Sequence, residues 1–198
     1  MATKQQQTEQ AQEKLLYAGF EVLKLKGVKG LTAAQIAEAA GVSKGGFFHH
    51  FPKIEDFYLY MLDQMIQMMD SQIFGKKPKT LLEFLELSTE TCLDMMDQTP
   101  EIMTAIYYFI DFSRFNPTYT EKLQNLVKAG LGKWVNDLSA YVPAGMSEEK
   151  RLHLVYILDI FYSGLGTHYL VLKDRALYQQ IAGTFIQMVI NYTEEGQS

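Results

Sequence analysis

Between Thr32 and Lys53 the chain sets out side chains suited to holding an anionic polymer, and none placed to break a bond. Ser43 and Lys44 precede Gly45-Gly46, then come Phe48, His49 and, past Pro52, Lys53. Lys44, at the start of a short helix, has two roles open to it: a hydrogen bond to a guanine edge, or a plain phosphate contact. His49, one residue past Phe48, is expected on the outer face, within reach of a phosphate or base. Thr32, with Ala33 beside it, and Ser43 stand where helices begin, and free amides and the helix dipole draw phosphate there. Catalysis has no comparable footing. No nucleophile, base and orienter occur as a set, His153 and His168 are isolated, and no phosphate loop is present. His49-His50 lacks a third ligand at metal spacing, so neither a metal nor a cofactor is expected.

These residues need a rigid frame, and TAAQIAEAAGVSKGGFFHHF (residues 32–51) supplies one: two short helices around a tight turn, a helix-turn-helix. Thr32 with Gln35 predicts a capping box on the first helix. Ala37 is small enough for a second helix to cross it. Gly41 ends the first helix in a left-handed conformation that costs glycine little. Val42 is expected to tuck inward and Ser43 to cap the second helix. Phe47 and Phe51, four apart, face the core, and His50 packs partly inside.

The composition agrees with a DNA-binding head on a separate body. Residues 1–54 hold seven Lys against four Glu, a balance of +3. Residues 55–198 hold eleven Lys or Arg against nineteen Asp or Glu, a balance of −8 within the net −5. At 198 residues and 47% hydrophobic the chain can bury a sizeable core. The single cysteine, Cys92, excludes an intrachain disulfide and fits a reducing cytoplasm. The polar N-terminus has no signal-peptide core. Leu152–Leu172 is long and apolar, but Asp159 lies mid-way and would be costly in lipid, so a helix buried in a bundle or dimer is expected rather than a membrane span.

The apolar periodicity and the punctuation predict an all-α chain of about nine helices. The first covers Thr8 to Lys26. After the helix-turn-helix come Ile54 to Phe74, then Thr80 (a second capping box with Glu83) to Asp97. Thr99-Pro100 opens the sixth. Asn116-Pro117 opens the seventh, which ends near Pro143. Ser147 caps the eighth and Asp174 the ninth. The boundary between a DNA-binding domain, 1–53, and a ligand-binding and dimerisation domain, 54–198, is placed at the start of the fourth helix.

The stretch GLTAAQIAEAAGVSKGGFFHHFPKIEDF, Gly30 to Phe57, with the nine-helix layout, resembles the tetracycline-repressor (TetR) family of bacterial regulators. The resemblance implies a homodimer that represses transcription from a palindromic operator of double-stranded DNA. It also implies release by a small-molecule effector, bound in the C-terminal body. Three departures stand out. Gly45-Gly46 replaces a residue that often reads bases in the family. Phe48 replaces a tyrosine, removing a phosphate-binding hydroxyl. Ile54 replaces a lysine, with Lys53 one position earlier.

For the body, the expectation is an apolar or aromatic effector held by Cys92, Tyr107, Tyr108, Asp111, Phe112, Trp134 and Asp159, with the sixth helix buried all round. Other readings are open: a plain aromatic core, Asp111 paired with Arg114 on the surface, an exposed Asp159, and Cys92 as an inert hydrophobe rather than a redox switch. A body that binds a protein partner instead of a small molecule is the alternative function. Gly164, Gly166, Ile181, Phe185, Met188 and Val189 suggest a dimer seam, or packing within one chain. Met61, Met65, Met68 and Met69 form a soft stripe on the fourth helix, through which an effector's signal would travel.

Overall fold

The computed structural model describes residues 3–194. Among them are nine α-helices, one 3-10 turn and no strand: α1 Lys4–Lys26, the turn Val28–Gly30, α2 Ala33–Ala39, α3 Lys44–His50, α4 Ile54–Phe74, α5 Leu81–Gln98, α6 Pro100–Ser113, α7 Pro117–Leu138, α8 Glu148–Leu172 and α9 Arg175–Glu194.

Two bounds differ from the sequence expectation. α1 begins at Lys4 rather than Thr8, because Thr3 and Gln6 form a reciprocal capping box: Gln6 N–H donates to Thr3 Oγ1 at 3.2 Å and Thr3 N–H to Gln6 Oε1 at 2.8 Å. α7 ends at Leu138 rather than near Pro143. There the Tyr141 and Val142 amides fold back onto the Leu138 carbonyl at 2.9 and 3.2 Å. That turn carries Val142 into the core and stacks Tyr141 on Phe84.

The described chain forms two compact units that do not follow the expected boundary at residue 53. Of the described residues, those up to 65 and 101–123 make the first, and 66–100 with those from 124 onward the second. The reason lies in α4, which is one unbroken helix whose first half packs with the head. A Cβ on Gly19 of α1 would stand 2.6 Å from Phe57 Cζ, so only glycine lets that ring in. Phe57 packs on Phe47 and Phe51, and Leu15, Leu23, Ile36 and Met61 of the same unit are buried as well. The second unit has its own core, in which Phe84 and Leu85 of α5, Leu138 of α7, Leu154 and Leu158 of α8 and Val189 of α9 are buried together. α8 is long and apolar enough to cross a membrane, and its Leu154, Val155, Leu158 and Leu165 are buried.

Candidate nucleic-acid interface

The turn between α2 and α3 is closed by two backbone bonds. Gly41 N–H donates to the Glu38 carbonyl at 3.0 Å and Val42 N–H to the Ala37 carbonyl at 2.9 Å. With Gly41 at φ 63°, this is a Schellman close, and the glycine is needed for the left-handed residue. Val42 does not tuck inward: its side chain is partly exposed beside Gly46, because the turn commits its amide to Ala37 and leaves the side chain at the rim. Ser43 Oγ accepts from Gly46 N–H at 3.0 Å and caps α3. At α2 only half of the expected box forms. Thr32 Oγ1 accepts from Gln35 N–H at 3.3 Å, but the Gln35 side-chain Oε1 takes the Lys26 ammonium instead, and Thr32 N–H goes to the Gly30 carbonyl. Lys26 and Gln35 lie nine residues apart, and no periodicity predicts that pair.

With these ends fixed, α3 sorts its side chains sharply. Phe47 is wholly buried against Phe51 and Phe57. Lys44, Gly45, Phe48 and His49 are exposed, as are Thr32, Ser43 and Lys53, while Gly46 is half-buried. Lys44 Nζ lies 5.9 Å from the Phe48 ring centre, one helical turn away. His49 meets His50 edge-on at 5.0 Å. Ala33 is buried, so its methyl cannot touch a partner and only its backbone is available there. Every exposed cation of this face sits on a helix end or a loop that the aromatic core holds in place.

The body residues separate into several places. In the first unit, Tyr58 packs on Tyr108, Phe109 and Phe112, and Phe112 packs on Tyr119. Tyr58 hydroxyl donates to the Leu31 carbonyl at 2.7 Å, tying α4 to the segment before α2. Burial pushes the Tyr58 and Tyr119 hydroxyls above their ordinary range, so both stay neutral donors. Tyr119 hydroxyl is buried without a partner in this structure, at a small cleft lined also by Glu55, Asp56, Asn116 and Lys122. Asn116 Nδ2 donates to Glu55 Oε1 at 3.4 Å, and Lys122 Nζ reaches Asp56 Oδ1 at 2.7 Å.

α6 is not buried all round. Ala105 and Phe109 are its buried residues, and Tyr107 and Ile110 are exposed, because one face alone meets the Tyr58 cluster. Asp111 is on the surface, 3.3 Å from Arg114 Nη1. Trp134 belongs to the second unit, where it meets Phe74 and Phe84 and donates from Nε1 to Asp70 Oδ1 at 2.7 Å. Cys92 Sγ faces the Tyr162 carbonyl at 3.6 Å, and burial pushes its thiol up to about 12, which disfavours the thiolate. Asp159 is exposed on α8. Of the seven expected effector residues, Tyr107, Tyr108, Asp111 and Phe112 thus belong to the first unit and Cys92, Trp134 and Asp159 to the second.

The expected seam residues also divide. Gly164, Ile181 and Met188 are exposed, in company with Leu152, Tyr156, Ile160 and Leu177. Gly166 and Val189 are buried, Val189 in the core of its own unit. Phe185 is half-buried and stacks on Phe161 with ring centres 3.6 Å apart. Sequence reading missed the anchor of this unit, Arg175 at the start of α9. Its guanidinium reaches Glu90 at 2.6 Å, Asp94 at 2.8 Å and Asp97 at 2.9 Å, all on α5. The i, i+4, i+7 acidic ladder of α5 was the available signal.

Residues 15–61 match the tetR family of bacterial regulatory proteins. The HTH-type transcriptional regulator CymR of Pseudomonas putida is 23% identical over 195 residues, which are 94% of this chain and 92% of CymR. Among solved structures, GusR of Salmonella enterica superposes with a TM-score of 0.68 at 16% identity, over 93% of this chain and 96% of GusR. A protein from Saccharomonospora viridis solved in complex with choline gives 0.67 at 16% identity, over 90% and 96%. Both share the fold.

Proposed function

We propose that this chain, a helix-turn-helix transcriptional regulator of the tetR family, represses transcription as a homodimer seated on a palindromic DNA site. The observation that carries the DNA reading is the sorting of α3: Phe47 is held in the core while Lys44, Phe48 and His49 face outward, with Lys53 beyond them. Thr32, Ser43, Gly45, Gly46 and the Ala33 backbone complete the face. The positive balance of residues 1–54 favours a polyanion.

The dimer reading rests on the exposed apolar residues of the second unit. Leu152, Tyr156 and Ile160 repeat every four residues on α8, and Ile181 and Met188 lie two turns apart on α9. A second copy would cover them, with Gly164 allowing close approach. The two recognition helices would then address half-sites about 34–36 Å apart. The effector is a small apolar or aromatic molecule, and the rings of Tyr58, Tyr108 and Phe112 are the candidate walls. A relative by fold is known with choline bound. Such a molecule acts only by favouring one conformation over another. The setting is the cytoplasm.

Selection of bound fragments from the source genome, at low and at high salt, tests this. A palindrome whose retention falls as salt rises supports the reading. Fragments of random sequence at both salts reject it.

A further inference from the structure

We propose that Phe48 is a thymine reader: its ring meets the C5-methyl group of a thymine in the major groove. The inference rests on the DNA-binding reading above and names the base that this face selects. Three phenylalanines occur within five positions, and they are treated differently. Phe47 and Phe51 are 0% and 3% exposed, Phe48 37%. Phe48 is braced edge-on against Phe47 at 5.4 Å, and Phe47 is fixed in turn by Phe51 and Phe57. Lys44 covers part of the ring from one turn back. The helix thus holds an apolar plate at its outer surface, with little freedom left to lose on binding.

The chemistry of the groove leaves few partners for that plate. A phenyl ring has no hydroxyl to give a phosphate. It gains little from the hydrogen-bonding edges of guanine, adenine or cytosine. The apolar group that unmodified DNA shows in the major groove is the thymine C5-methyl.

The glycines beside it are a second observation. Neither Gly45 nor Gly46 has a left-handed φ. A Cβ on Gly45 would meet Ser43 Oγ at 3.7 Å, and one on Gly46 would meet the same atom at 3.5 Å and Val42 Cβ at 3.6 Å, all ordinary contacts. The chain's own packing therefore does not call for glycine at either position, although each weakens the helix. The bare turn they leave lies next to the Phe48 ring, and a base edge could approach there.

The test uses the full chain and the sequence recovered by genomic selection, remade with deoxyuridine in place of one thymine at a time. That change removes the methyl and keeps the hydrogen-bonding edge. Wild-type protein is expected to bind about fourfold more weakly at one thymine in each half-site. Phe48→Ala is expected to lose that discrimination, at unchanged far-UV circular dichroism. A wild-type chain indifferent to every single deoxyuridine overturns the proposal, and that arm needs no variant. Equal discrimination by wild type and Phe48→Ala also overturns it. In both cases sequence-specific binding to the thymine operator still stands. Absence of any preferred sequence instead removes the DNA reading, and the thymine proposal with it.

Discussion

The helix-turn-helix and the α5–α9 seam are both tied by polar side chains, but over different ranges. In the head the ties are mostly local: Thr3 to Gln6, Thr32 to Gln35 and Ser43 to Gly46, each spanning three residues. In the seam, Arg175 of α9 reaches back 78 to 85 residues to Asp97, Asp94 and Glu90, and beside it Tyr169 of α8 reaches 72 to the same Asp97. Local ties leave the outward side chains of a short helix free for a partner. Long ties are spent on holding helices to one another. The head is thus built to present chemistry, and the seam to consume it.

The largest effect that would break this contrast is in the head's core. Phe47→Ala should cost about 3–5 kcal/mol in urea unfolding, since the ring is wholly buried among Phe48, Phe51 and Phe57. A loss below 1 kcal/mol would mean that the frame of α3 lies elsewhere. Next is Asp70, a buried carboxylate of the second unit that accepts from Trp134 Nε1 and Lys133 Nζ, both at 2.7 Å. Asp70→Ala should cost about 2 kcal/mol, because the indole N–H loses a charged acceptor. Its tryptophan fluorescence should shift as well.

Gly46→Ala sharpens the contrast by having opposite signs in its two readouts. Chain stability should rise by about 1 kcal/mol, as a Cβ there meets only ordinary contacts. DNA affinity should fall, as the Cβ fills the bare turn. A variant that loses stability and keeps affinity would contradict the account of that turn.

The smallest effect is a pH dependence of the seam. The hydrogen bond from Tyr169, then that from Arg175, hold the Asp97 carboxyl below its ordinary range. A carboxylate depressed in the folded state contributes stability above its unfolded pKa, and that contribution is lost as pH falls through the folded value. Unfolding followed from neutral pH down through the carboxylate range should therefore lose stability on acidification. Asp97→Asn should lose less.

What was legible in the sequence follows the same division of range. The caps at Ser43, Thr80, Asn116, Ser147 and Asp174 each act within three residues, and the structure keeps a hydrogen bond at every one. Gly41 was legible for the same reason, since one residue must turn left-handed to close α2. At Thr80 the backward half of the box goes astray: Glu83 Oε2 accepts from Lys79 N–H, one residue early. The Arg175 fan and the Asp70–Trp134 bond depend on how distant helices cross. No local spacing encodes them. Val42 was misread because an apolar residue type says nothing of which rim of a turn it occupies. The aromatic residues of α6 were legible as a cluster but not by face, since Tyr58 and Tyr119, which decide the face, come from helices four and seven.

The central claim is that α3 presents a DNA-reading face on a chain that works in pairs. The most direct test is titration of the recovered palindrome against a scrambled duplex of equal length, at two salt concentrations, with stoichiometry read from the saturation point. The account predicts two chains per palindrome, tighter binding than to the scrambled duplex, and affinity that falls steeply with salt. Equal affinity for both duplexes at both salts would contradict it.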